Sequence, residues 1–378
     1  NNYDYCRCVY SIVAYGCNRR RSIFDGGLDF MKWKIEKPKS IELFVLAIIS
    51  IVIFITAEKT AEPERQPYFD KKLQAAKLSL LAREAVKNYS QNLGIKIDIQ
   101  NDPYKTGLIG QERTPITSDR GIVTSKILST NPNFAAAFVD LLTKAKVKKH
   151  SIVAVGMTGS FPGLNISFLA ACSVLELEPL IITSAGSSDW GANLPQITWL
   201  DMERVVNERG ILNFKSIAAS VGGGADNGRG LSPEGRGLLQ EAITRNTIKL
   251  IDEPTLEKNI IKRMEIYKQE CKGKPIACYI NIGGGVASLG GSQNARLIPP
   301  GLSKHLAVKN YPVRAVINRM SEQGIPAINI LNVEKIAEKF GLPTEIEDKE
   351  QELGDGPLFF KEKYSISNTI VLTIILGF

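Results

Sequence analysis

Histidine is almost missing from this chain: its 378 residues include two, His150 and His305. Cysteine is also sparse, with Cys6, Cys8 and Cys17 near the start and Cys172, Cys271 and Cys278 in the body. Cys6-x-Cys8 has no second pair at the spacing a zinc site requires. No metal site built on Cys and His is expected, and no cofactor is expected. The body cysteines are too scattered for a disulfide framework. No basic run interleaved with aromatics is present, and no nucleic-acid motif, so nucleic acid is not an expected partner. The net charge of +8 is partly local, because residues 1–41 carry eight Lys/Arg against four Asp/Glu. Around the central strand there is no G-x-G-x-x-G, no Walker G-x-x-x-x-G-K-[ST] and no G-x-S-x-G elbow. These absences remove the usual sequence signatures of dinucleotide, nucleoside triphosphate and elbow-serine chemistry.

No apolar run reaches the roughly 20 residues of a comfortable membrane span. The longest near the start, Ile41–Ala57, reads IELFVLAIISIVIFITA. A helix of that length covers about 25 Å, and flanking residues able to snorkel make up the difference. Two readings stand: an uncleaved anchor, or a signal peptide, for which Thr56-Ala57-Glu58 is a poor cleavage site. Lys32, Lys34, Lys37 and Lys39 precede the run and mixed charges follow it, so the anchor reading puts the N-terminus inside and the body outside the cytoplasm. Residues 1–30 have an odd Cys/Tyr/Arg mix. They are expected to be upstream sequence read through ahead of a natural start at Met31, or a short flexible tail. The remaining organisation expected is a basic cytoplasmic flank at 31–40, a transmembrane helix at 41–57, a linker at 58–69 marked by Pro63 and Pro67, and an α/β domain over 70–365. The apolar tail 366–378 is too short to span alone. It reads either as a cut-off second membrane segment or as an element folded onto the body.

Within the body, one stretch organises the rest: Ser151–Asn165, SIVAVGMTGSFPGLN. A β-branched run ends in Gly156-Met157-Thr158-Gly159-Ser160 and continues into helical sequence, which is the βα half of a parallel unit. The pattern then recurs. Pro179–Ser184 ends in Ala185–Gly191, Ser216–Ser220 in Val221–Gly230, and Ala277–Ile282 in Gly283–Gly291. Helices are expected at Asp70–Asn92, Asn133–Lys144, Leu164–Leu175, Trp199–Arg209, Gly235–Asn246 and Val333–Phe340, and a further apolar piece at Ala327–Leu331. Strands alternating with helices predict an α/β fold with a mostly parallel sheet and glycine-rich loops at the strand carboxyl ends. Ligands bind outside those ends in such sheets.

The candidate ligand-binding residues are therefore Gly156, Thr158, Gly159, Ser160, Ser187, Ser188, Gly223, Gly224, Arg229, Gly284 and Gly285. Backbone amides in such loops cradle anions, and Arg229 can pair with a carboxylate through two hydrogen bonds. Ser160, Asp189 and Asp226 are candidate catalytic groups. Each has a plainer reading as well: a tight strand-to-helix turn for Ser160, turn or cap roles for the aspartates. Asp201 and Glu203 flank the second unit, and Asn281 and Asn294 lie near the fourth loop. Pro103–Thr124 contains Ser118-Asp119-Arg120-Gly121 and reads as a lid, a substrate loop or a plain surface loop.

The lysine-flanked anchor together with VGMTGSFPGLN, ITSAGSSDWGAN, TWLDME, VGGGADNGRG and YINIGGGVASLGG resembles the poly-γ-glutamate system proteins, bacterial membrane proteins associated with poly-γ-glutamate synthesis and export. The resemblance covers roughly residues 31–378. It implies a pathway and a location, and it carries no assigned catalytic residue. The partners it implies are poly-γ-glutamate or another carboxylate-bearing ligand, the membrane, and synthase or export subunits. Three roles follow from these readings: an accessory protein that binds or guides the polyanion, a hydrolase or transferase acting on γ-glutamyl amide bonds, or a scaffold for the synthase and export complex.

Overall fold

The computed structural model describes residues 39–364. The expectations for residues 1–30, for the basic flank up to 38 and for the tail 366–378 lie outside these residues. The chain divides into two units, and Ala61–Tyr364 forms the larger. Helix α1, Ser40–Lys59, belongs to the smaller unit, and its apolar side chains, among them Leu43, Phe44, Ile51 and Phe54, are exposed. Among the described residues no helix is long and apolar enough to cross a membrane.

The body is built on a seven-stranded sheet. Its strands are β1 (Ile152–Thr158), β2 (Glu178–Ser184), β3 (Ala218–Ser220), β4 (Lys249–Ile251), β5 (Ile276–Ile282), β6 (Gly301–Ser303) and β7 (Ala327–Ile330). Across the sheet the order is β6-β7-β5-β1-β2-β3-β4, all parallel except β6. Ala154 of β1 faces Leu180 on one side and Tyr279 on the other. The chain thus runs outward from β1 through β4, then returns to lay β5 against β1 on the opposite side. The crevice between β1 and β5 is where strand order reverses, the position at which open α/β sheets bind ligands.

Both faces of the sheet are covered, which is why the strands are continuously apolar rather than alternating. Val153, Val155 and Met157 of β1 point into one core with Phe138 and Phe168, while Ala154 points into the other with Tyr267 and Tyr279. This is the two-residue repeat of a strand read on its two sides. The first core is packed by α2 (Phe69–Asn92), α4 (Phe134–Lys144), α5 (Pro162–Leu175) and α6 (Trp199–Glu208). Between α2 and α4 the chain makes the short α3 (Val123–Leu128); α7 (Pro233–Arg245) follows β3. The second core is covered by α8 (Leu256–Glu270) and, after the short α9 (Val286–Leu289) and α10 (Gly291–Leu297), by α11 (Val316–Glu322). Helix α12 is Val333–Phe340.

The α/β reading and its parallel sheet hold, and α2 packs on the body. Other details differ from the sequence reading. Glu62–Arg65, inside the expected linker, pairs antiparallel with Phe360–Lys363, so the body begins before residue 70. The pairing brings the two ends of the body together, and Lys72 sits nearby with its ammonium on Asp140 Oδ1 at 3.2 Å and Leu358 O at 3.1 Å. β4, β6, α8 and α11 occupy stretches where the sequence pattern predicts no element.

Candidate functional site

The carboxyl ends of the strands open into a cleft of about 940 Å³. Thr158 ends β1, Ser184 ends β2, and both line it. Gly223 and Gly224 come from the loop after β3, Gly284 and Gly285 from the loop after β5, and Asn332 from the end of β7. A second wall is supplied by Ser118–Ile122, from the segment Pro103–Thr124 read as lid, substrate loop or surface loop, and by Lys126 just after it. That segment is held to the sheet edge, because Thr117 and Asp119 pair with Ser187 and Ser188 as a short parallel ladder.

Of the candidate binding residues, Thr158, Ser160, Ser188, Gly223, Gly224, Arg229, Gly284 and Gly285 meet in this cleft, with Asp226 of the candidate catalytic set. Four other candidates stand behind the wall. A Cβ on Gly156 would lie 2.3 Å from Ser288 Oγ, so Gly156 serves packing between β1 and the β5 loop. Gly159 packs on Ala185 and Ser187, and Ser187 is fully buried with its hydroxyl donating to Gly159 O at 3.1 Å. Asp189 is 6% exposed and lies behind the lining. Its Oδ2 accepts the Gly121 N–H at 3.2 Å, and its Oδ1 has no hydrogen-bond partner among the described residues, with Arg113 Nε 4.0 Å away.

Asp226 lines the cleft but is committed to the fold. Both its side chain and that of Arg263 on α8 are 1% exposed, and they meet at 2.6 Å. Ser184 Oγ donates to its other oxygen at 2.7 Å. Arg263 also donates to Ser184 and Ser220 at the ends of β2 and β3. This cluster pins two strand ends and the β3 loop to α8, which leaves Asp226 without a free oxygen for proton transfer. The other carboxylates are structural too. Asp201 forms a capping box with Thr198 at the start of α6 and pairs with Arg245. Glu203 accepts from Ser216 N at 2.8 Å and Ser216 Oγ at 2.9 Å, and burial pushes its carboxyl up to about 7. Asn281 braces the β5 loop, donating to Gly283 O and to Asn329 Oδ1, each at 2.9 Å. Asn294 is buried and donates to Val313 O at 2.6 Å.

The cleft is electropositive. Arg120, Arg229, Arg296 and Lys335 all line it, and none of these four side chains has a hydrogen bond or ion pair among the described residues. Opposing them are Asp119 and Glu334, and the Glu334 carboxylate is taken by the Ser125 hydroxyl. The amides of Gly284 and Gly285 also find no acceptor in the described chain. Ile122, Phe161, Val286, Leu289 and Ile298 add an apolar component to the lining.

The residue that sequence reasoning missed is Lys126. It is 2% exposed, and its ammonium donates to Ser188 Oγ at 2.7 Å and to Ser160 O, beneath the Phe161 ring at 4.0 Å. Burial lowers its amine to about 7, against the pull of Asp189 and Asp119 toward the charged form. Gly121 makes room for it: a Cβ there would lie 2.4 Å from Asp189 O and 3.2 Å from Lys126 Cε. Nothing local marks Lys126, since a lysine on a six-residue helix reads as solvated surface. Among the described residues no three His, Cys, Asp or Glu side chains gather as metal ligands. Compared with known proteins, the chain matches no family model, no curated protein and no solved structure.

Proposed function

We propose that this chain is a membrane-anchored accessory protein of poly-γ-glutamate synthesis or export, whose cleft binds and guides the polymer. One observation carries the binding reading: four cationic side chains, Arg120, Arg229, Arg296 and Lys335, line one cleft with no hydrogen-bond or ion-pair partner among the described residues. Natural proteins pair or solvate such groups singly; four around one concavity favour a ligand of repeated negative charge. A γ-linked glutamate chain has one free carboxylate per residue and a methylene-bearing backbone. Its charges suit the arginines, which bind carboxylates through two hydrogen bonds, and its methylenes suit the apolar lining. The Gly284 and Gly285 amides, which have no acceptor among the described residues, add neutral donors.

The resemblance of the motifs supplies the pathway and the synthase or export partners. The apolar run of α1 supports the anchor, with Lys39 before it and Glu58 and Lys59 after it reaching the interface to cover a run shorter than a full span. The lysine-rich flank favours an extracytoplasmic body.

Titration calorimetry of the full chain in detergent against poly-γ-glutamate tests the binding. Heat of binding is expected to weaken as salt rises from about 0.05 to 0.5 M, because screening shortens from roughly 14 to 4 Å. Arg229→Ala, Arg296→Ala and Lys335→Ala are each expected to weaken it about two- to fivefold, the scale of an exposed ion pair. A triple variant that binds as tightly as the parent removes the reading.

A further inference from the structure

We infer that Ser188 and Lys126 form a nucleophile and general-base pair that cleaves amide bonds of a carboxylate-bearing chain lying in the cleft. The inference rests on the reading that this cleft takes such a chain, and it moves the reactive serine from Ser160 to Ser188. The Lys126 amine lies 2.7 Å from Ser188 Oγ, within the reach a base needs to take that proton. Ser188 is 9% exposed and is among the residues that line the cleft, and its hydroxyl hydrogen is given to no other group among the described residues. Ser160 plays a different part, because its Oγ accepts the Ser188 N–H at 3.1 Å and so orients the loop.

That loop is held firmly. Asp189 N donates to Asp119 O at 3.0 Å, Trp190 N donates to Gln111 O at 2.9 Å, and Trp190 is kept at φ 64°. A non-glycine residue in the left-handed region persists where the surroundings over-determine it, and such residues gather at functional sites. The groups facing the Lys126 amine are the Asp119 and Asp189 carboxylates, with Arg113 beyond Asp189 and Glu334 engaged by neighbouring Ser125. Burial outweighs both carboxylates and brings the amine to about 7. A fraction of it is therefore neutral at physiological pH and able to accept a proton.

In the reaction, neutral Lys126 takes the hydroxyl proton as Ser188 Oγ bonds to the amide carbon. The carbon–nitrogen bond then breaks, and Lys126 returns the proton to the departing amine. Water completes the cycle: Lys126 takes one of its protons, the hydroxide displaces Ser188 as Lys126 gives that proton to Oγ, and the carboxylic acid product leaves and loses its own proton to solvent. Gly284 and Gly285 line the same cleft, and their amides, without an acceptor among the described residues, are the donors available for negative charge on the amide oxygen.

The test uses the full chain in detergent, a serine-phosphonylating fluorophosphonate, and peptide mapping by mass spectrometry. The expected result is an adduct on Ser188, forming about tenfold faster per pH unit below about pH 7 and levelling above it. Lys126→Met and Lys126→Arg are expected to slow it by about 100-fold or more, with circular dichroism showing both folded. An adduct on a different serine, no Ser188 adduct at any pH from about 6 to 9, or Lys126→Arg reacting at the parent rate overturns the inference. The pH profile of the unaltered protein needs no variant at all. Poly-γ-glutamate incubated with the same samples is expected to shorten, and Ser188→Ala to leave it intact. If the polymer binds but Ser188 never reacts, the pair falls and the binding reading stands. If Ser188 reacts in a Lys126-dependent way but the polymer does not bind, the pair stands and the binding reading falls.

Discussion

Among single residues, the carboxylates behave differently from what their loop positions suggest. Asp226 is among the residues that line a cleft, yet it is spent on Arg263, Ser184 and the joining of two strands to α8. Removing one partner of a buried ion pair leaves the other charge uncompensated, which costs about 3–5 kcal/mol. Asp226→Ala is accordingly expected to lower the urea stability by about that amount; a catalytic aspartate would instead lose activity and keep its stability. Glu203 provides a pH signature. Its folded carboxyl holds its proton to about 7, while in the unfolded chain the group titrates near 4.5. Stability from this group is complete below the unfolded value, and is lost as pH rises between 4.5 and about 7, because the unfolded chain releases its proton first. Urea midpoints measured across that window are expected to fall by an amount equivalent to about 3 kcal/mol, and Glu203→Gln to flatten the decline.

At the level of elements, the short helix α3 matters because it carries Lys126. Helix α3 packs against α12, and the turn that ends it lies tight against the first turn of α5. A Cβ on Gly163 would lie 2.4 Å from the carbonyl oxygen of Ser129, just past the end of α3. Gly163→Ala is expected to push the two apart, cost about 1–3 kcal/mol as overpacking, and slow Ser188 phosphonylation by displacing the amine. Thermal unfolding and the labelling rate check the two effects separately. The glycine-rich loops were legible at this scale because their signal is local: a β-branched run, a cluster of small residues, then helical periodicity. Helix α8 has a local signal too, with Leu256, Ile260, Met264 and Tyr267 along one side and Thr255 capping Lys258 N. Its high charged content hides that signal, and the sequence reading assigns no element there. Lys126 had no such signal, because its burial comes from Phe161, Ser160 and Ser188, residues more than thirty positions away.

For the whole molecule, the antiparallel pairing of Glu62–Arg65 with Phe360–Lys363 closes the body on itself. Lys363 and Lys361 both reach Glu64 across it. A chain comprising residues 61–364 is expected to unfold in urea as a single cooperative transition, since that range is one compact unit. Deleting Phe360–Lys363 from it is expected to lower the midpoint without splitting the transition; two separate transitions would show that the closure does not join one unit.

Sequence by itself determined that the body is α/β, that its sheet is mostly parallel, and that the four strands it marked most clearly end in loops of small residues. Those properties follow from hydrophobic period and local turn chemistry, which neighbouring residues encode. Tertiary structure alone decided that β5 returns to lie beside β1, that Asp226 is consumed by an arginine from α8, and that Lys126 is carried under Phe161 to Ser188. Strand order and side-chain burial depend on which distant segments meet, and no local pattern names its partner.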